Sequence, residues 1–144
     1  RSQGTRCRQL AEYVVFESPL NMLCDSPTNY DREEECTEFI ATIPTVWEQT
    51  IAMNGEIGKY ITMARRKGDV WYVGALTNRD ARTLTLDLSF LGAGRWKAEM
   101  FHDGVNANRL ASDYQKTVTD IPASRKLTVK MAQGGGCALK IYKE

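Results

Sequence analysis

The hydrophobic period of this chain changes once, near Thr45, and that change limits its fold more than any other feature. From Thr45 onward apolar residues recur at every second position. Leu84, Leu86, Leu88 and Phe90 alternate with Thr83, Thr85, Asp87 and Ser89, the pattern of a strand with one buried and one wet face. Trp96, Ala98 and Met100 alternate with Arg95, Lys97 and Glu99, and Leu127, Val129 and Met131 with Lys126, Thr128 and Lys130. The runs Tyr60–Ala64 and Val70–Leu76 flank Arg65-Arg66-Lys67-Gly68-Asp69, a charged loop whose glycine can take a positive φ, so they read as a hairpin. A last strand, Cys137–Tyr142, follows Gly134-Gly135-Gly136. No helix-length crossover separates these runs, which predicts a mainly β fold: an antiparallel two-sheet β-sandwich of about six to eight strands over residues 45–144. Residues 106–114 read as one helical turn or an ordered loop.

Residues 1–44 follow a different grammar and form a helical lead-in. Thr5 can cap a helix carrying Leu10, Tyr13 and Val14 on one stripe, and the helix ends at Glu17 because Ser18 precedes Pro19. Pro19–Cys24 is a short apolar stretch whose length suits a buried strand, although periodicity alone does not separate strand from helix there. A second helix follows, with Asn29 or Asp31 as N-cap, Glu33, Glu34 and Glu35 in the first turn and Phe39, Ile40 and Ile43 as its apolar stripe. Pro44 terminates it.

Charge and composition exclude several classes of function. The formal charge of +1 gives no general attraction to phosphate backbones, so nucleic acid is not an expected partner. No stretch approaches the roughly 18–20 apolar residues that cross a bilayer, and the opening Arg-Ser-Gln-Gly has no apolar signal core. The start without Met suggests a piece of a longer chain. The lead-in holds four basic and eight acidic residues, a net of −4, and the rest fifteen and ten, a net of +5; this difference either favours docking of one half on the other or reflects two separately solvated surfaces. Cys7, Cys24, Cys36 and Cys137 lack Cys-x-x-Cys spacing, so a zinc site is not expected. Two disulfides are formally possible, but their apolar contexts favour partly buried free thiols.

Searching for chemistry finds no convergent set of groups. The sole histidine, His102, adjoins Asp103, and neighbours on a strand point to opposite faces, so the two form no relay and a surface or turn role is expected. Three consecutive glutamates, Glu33 to Glu35, point in three directions and suit a helix N-terminus better than a metal. Trp47 beside Glu48 could stack on and hydrogen-bond a sugar; the alternative is a buried tryptophan anchoring the two halves. Trp71 and Trp96 have apolar strand neighbours and read as core. The triple glycine lacks a following Lys-Ser/Thr and precedes a strand, so it reads as a flexible connection and not a phosphate cradle. Arg65-Arg66-Lys67 reads as a solvated hairpin tip that guards a strand edge.

Three segments carry a family resemblance. Residues 6–27, Arg-Cys-Arg-Gln-Leu-Ala-Glu-Tyr-Val-Val-Phe-Glu-Ser-Pro-Leu-Asn-Met-Leu-Cys-Asp-Ser-Pro, resemble the end of the catalytic barrel of glycoside hydrolase family 97. Residues 38–50, Glu-Phe-Ile-Ala-Thr-Ile-Pro-Thr-Val-Trp-Glu-Gln-Thr, and 64–74, Ala-Arg-Arg-Lys-Gly-Asp-Val-Trp-Tyr-Val-Gly, resemble the same family. The resemblance implies an α-glucosidase or α-galactosidase parent, in which residues 1–44 are the end of a (β/α)8 barrel and 45–144 a C-terminal sandwich. It assigns 5–17 to the penultimate barrel helix, 19–24 to the last barrel strand and 31–43 to the last barrel helix. Glu48 and Gln49 depart from the family's usual Asp-Glu at these positions. No catalytic residue carries over, because the family's catalytic and calcium-binding glutamates lie on earlier barrel strands; calcium is implied only for that barrel, and no metal or other cofactor for these residues. Asp25, at the end of the last barrel strand, would face the active-site rim. The chain is thus expected to be a non-catalytic stabilising or oligomerising module, or alternatively a carbohydrate-binding sandwich with Trp47, Glu48 and Asp25 as candidate sugar-binding residues. Its expected partners are the parent's own barrel and a second copy, met through residues 5–27, in the periplasm or outside the cell.

Overall fold

Strand Val70–Thr77 is buried along almost its whole length, which requires a layer on each side of the sheet that contains it. The protein, described here as a computed structural model for residues 6–15, 38–39, 41, 43–44, 46–56, 59–78, 80–103 and 114–144, supplies both layers. Its elements run α1 (Arg6–Val15), β1 (Gln49–Glu56), β2 (Tyr60–Lys67), β3 (Val70–Thr77), β4 (Arg82–Asp87), β5 (Trp96–Asp103), β6 (Tyr114–Asp120), β7 (Lys126–Met131) and β8 (Gly136–Lys143). Six strands form one antiparallel sheet in the order β1-β2-β3-β8-β5-β6, and β4 pairs with β7 in a second. This is the predicted two-sheet sandwich, with the lead-in helix packed on its outside.

The inner layer is built by alternation. Trp71, Val73 and Ala75 of β3, Cys137, Leu139 and Ile141 of β8, and Trp96 and Ala98 of β5 pack against Leu86, Val129 and Met131 of the small sheet. Thr83, Thr85, Asp87, Lys126, Thr128 and Lys130 face water, as the period-two reading requires. The free thiol of Cys137 is fully buried, and burial pushes its pKa well up. Burial of a side chain such as Leu139, at 0% exposure, stabilises by roughly 1.5–3 kcal/mol.

The opposite face of the large sheet is covered by α1, which lies across β3 and β8. Cys7, Leu10 and Val14 of the helix meet Tyr72, Ala138, Phe101, Tyr114 and Phe39, while Ala11 and Val15 meet Leu76. Two glycines set the distance of approach. A Cβ on Gly74 would lie 2.8 Å from the Ala11 carbonyl oxygen and 3.0 Å from the Val14 Cβ, and one on Gly136 would lie 2.7 Å from the Arg8 Cα. Both positions are glycine because a helix backbone rests on the sheet backbone there.

Several expectations need correction. Strand β2 continues through Arg65 and Arg66 to Lys67, so only Gly68, at φ 61°, and Asp69 form the hairpin tip. Arg65 is 5% exposed and is not part of a solvated tip; its partners on the helix side hold it. Gly135 and Gly136 are buried and closely packed, Gly135 against the Asp103 carboxylate, and so are not a flexible connection. His102 is a half-buried residue of β5 and not of a turn. Tyr114 starts strand β6, which the alternation did not reveal. The stretch 19–24, Asp25, Glu33 to Glu35, Cys24, Cys36 and residues 106–113 lie outside the described residues.

Candidate functional site

Of the buried polar residues among those described, Thr62 and Thr77 share the inner face with Ala75, and Arg65 lies on the outer face, against the helix. Two guanidinium groups hold the helix there. Arg65 Nη2 donates to the Val15 carbonyl at 2.8 Å, at the last residue of α1, and to Met63 Sδ at 3.4 Å. The last carbonyls of a helix have no partner within it and carry the negative end of its dipole, so a buried cation suits them. Near the other end, Arg8 Nη1 donates to the Thr77 carbonyl at 2.6 Å, and Arg8 Nε pairs with Glu12 at 3.3 Å. Partial burial raises the Glu12 pKa, against the lowering effect of Arg8.

The predicted Trp47–Glu48 pair is here, but its two members work separately. Trp47 is half-buried, with its ring edge-on to Tyr72 at 5.5 Å and under the Arg65 guanidinium at 5.8 Å. Glu48 Oε1 accepts from the Gly68 backbone N–H at 2.8 Å and pairs with Arg66 at 3.2 Å. It therefore clamps the β2–β3 turn. Trp71 and Trp96, each 5% exposed, lie in the core as expected. No ring among the three lies open beside a carboxylate.

Other carboxylates serve local structure in the same way. Asp103 Oδ2 accepts from the Ala132 N–H at 2.7 Å and fixes the β7–β8 turn, while Glu99 pairs with Lys116 at 3.7 Å and Asp120 with Lys97 at 3.1 Å. Glycosidic cleavage takes two carboxyl groups roughly 5–9.5 Å apart facing one bond, and these acids are each turned to a neighbour of their own. Among the described residues no group of three or more His, Cys, Asp or Glu converges to hold a metal ion. No helix among them is long and apolar enough to cross a membrane. Sequence reasoning missed Arg65, Arg8 and Asp103; the one available signal was phase, since position 65 shares a strand face with Met63.

Comparison with known proteins gives the arrangement its context. Residues 46–142 match the family model described as glycosyl-hydrolase 97 C-terminal, oligomerisation. A retaining alpha-galactosidase of Bacteroides thetaiotaomicron is 59% identical over 140 residues, which is 97% of this chain and 21% of that protein. The structure of a glycoside hydrolase family 97 enzyme from a Pseudoalteromonas species, in complex with acarbose, superposes at a TM-score of 0.88 with 39% identity, covering 99% of this chain and 23% of that one. A beta-arabinopyranosidase crystal structure superposes at 0.74 with 26% identity over 96% of this chain and 21% of its own. The chain thus spans about a fifth of the relatives it matches. A six-plus-two-stranded sandwich, a helix seated on its outer sheet and a match over residues 46–142 make this chain a member of the glycosyl-hydrolase 97 C-terminal family.

Proposed function

We propose that this chain is the non-catalytic C-terminal part of a family 97 glycosidase acting on α-galactosides or α-glucosides. In this reading residues 45–144 stabilise the parent and assemble its copies, and residues 1–44 belong to its catalytic barrel. The observation that carries the reading is the closure of the large sheet by α1. On this reading the helix, pinned at both ends by Arg8 and Arg65, fastens the sandwich to the body of the enzyme. The name of the Bacteroides relative supports galactosides as the substrate class. Calcium, on this reading, belongs to the barrel strands upstream, and the protein acts in the periplasm or outside the cell.

The chain is expected to release no chromophore from aryl α-galactosides or α-glucosides. Turnover that survives repurification would overturn the non-catalytic assignment. The rival reading, a carbohydrate-binding sandwich, requires exposed rings on one face; Trp71 and Trp96 are in the core and Trp47 is flanked by Tyr72 and Arg65, so it is not favoured.

A further inference from the structure

The oligomerising role needs a surface, and the strand edges of the large sheet differ in what they offer. The outer edge of β1 is interrupted by a register shift between Ala52 and Gly55, and such bulges blunt an edge against pairing. At the opposite end β6 pairs with β5 in unbroken register from Lys97↔Asp120 to Asp103↔Tyr114, and its far side bonds to no other strand among the described residues. The phase of its backbone follows from two bonds. Ile121 N–H donates to the Trp96 carbonyl at 2.9 Å, and Glu144 N–H to the Arg95 carbonyl at 3.0 Å. Even-numbered residues of β5 therefore bond toward β6 and odd-numbered ones toward β8. In β6 the odd-numbered residues bond inward, which leaves the N–H and C=O groups of Lys116, Val118 and Asp120 pointing outward.

We infer that a second copy of this chain adds to this edge, β6 against β6, antiparallel about a two-fold axis through Val118, and not through residues 5–27, whose described part, α1, is packed on the chain's own sheet. The inference rests on the oligomerising role proposed above and names its surface. Outward groups bond only to outward groups, so the paired residue numbers must sum to an even value. The register summing to 236 sets Val118 against Val118 and Lys116 against Asp120 of the other copy, with roughly six new backbone hydrogen bonds. Registers one step away on either side bring Val118 opposite Lys116 or Asp120 and lose the match. Val118 is 55% exposed, so an otherwise wet apolar side chain gains a partner. Lys116 and Asp120 already pair with Glu99 and Lys97 on the same sheet face. Across the axis they complete a row of alternating sign: Lys97, Asp120, then Lys116 and Glu99 of the second copy. An isologous contact of this kind closes and does not propagate, and strand addition takes its affinity from main-chain bonds.

Sedimentation velocity over a concentration series tests this with two variants of the chain. Val118→Lys faces Glu99 within its own chain, which keeps the fold, yet sets two ammonium groups together at the axis. It should weaken the dimer by about tenfold or more, with an unchanged circular dichroism spectrum. Val118→Cys should cross-link to a covalent dimer under mild oxidation, whereas Gln115→Cys, on the other sheet face, should not. A dimer that ignores Val118→Lys and does not cross-link at 118 overturns the edge assignment and leaves the oligomerising role standing. A chain that stays monomeric at every concentration overturns both.

Discussion

Replacing Arg65 with alanine removes the buried cation that ends α1, and the cost can be worked from its contacts. The bond to the Val15 carbonyl, 2.8 Å long and 95% shielded from water with the rest of the residue, is charge-assisted and contributes about 1.5–3 kcal/mol. The guanidinium over Trp47, 5.8 Å from the ring centre, adds about 0.5–1 kcal/mol. Alanine recovers part of this, because it no longer has a charge to desolvate. The net loss is expected at about 2 kcal/mol, or roughly 6 °C in Tm for a chain of this size. Urea unfolding followed by circular dichroism measures it. Lys67→Ala, an exposed cation two residues on in the same strand, is the control and should change stability by less than about 0.5 kcal/mol. If Arg65→Ala unfolds within about 0.5 kcal/mol of the parent chain, or if the Lys67 variant loses as much, the guanidinium does not fasten the helix.

Two further outcomes follow from the same interface. Gly74→Ala forces a Cβ against the Ala11 carbonyl and the Val14 and Val15 side chains, and should destabilise by about 1–3 kcal/mol; hydrogen exchange should show faster opening of α1 than of β4 and β7. Glu12 has its folded pKa raised, chiefly by burial, so its contribution to stability is fully present below the unfolded carboxylate pKa and is lost as pH rises through the folded one. Glu12→Gln should therefore raise the unfolding midpoint at pH 7 relative to the parent chain, with the gap closing below about pH 4; an equal gap at both pH values would contradict the shift.

How much of this was visible in the sequence depends on how many faces each strand buries. Strands β4 and β7 have one wet face, so Leu84, Leu86, Val129 and Met131 stood out against the threonines, lysines and aspartate between them. β3 is walled on both sides, and its apolar run announced a strand without saying which residue faced which layer. β6 offers the reverse case: a sheet edge asks for few apolar residues, and Tyr-Gln-Lys-Thr-Val-Thr-Asp carries too weak an alternation to notice. Arg65 was hidden by its neighbours, since a run of Arg-Arg-Lys looks like surface whichever way each side chain turns. The Trp47–Glu48 pair was visible, but that Glu48 would turn to a backbone N–H twenty residues away depends on tertiary structure. The candidate site was therefore legible in its residue types and not in its partners.

The seam between sandwich and lead-in is a matter of volume, not of position along the chain. Severing the polypeptide near residue 45 would uncover Tyr72, Leu76, Phe101 and Ala138 and leave Gly74 and Gly136 as the floor of an empty trough. Any enzyme that borrowed this sandwich would have to import a ten-residue rod along with it, or already own one slim enough to lie in the same bed.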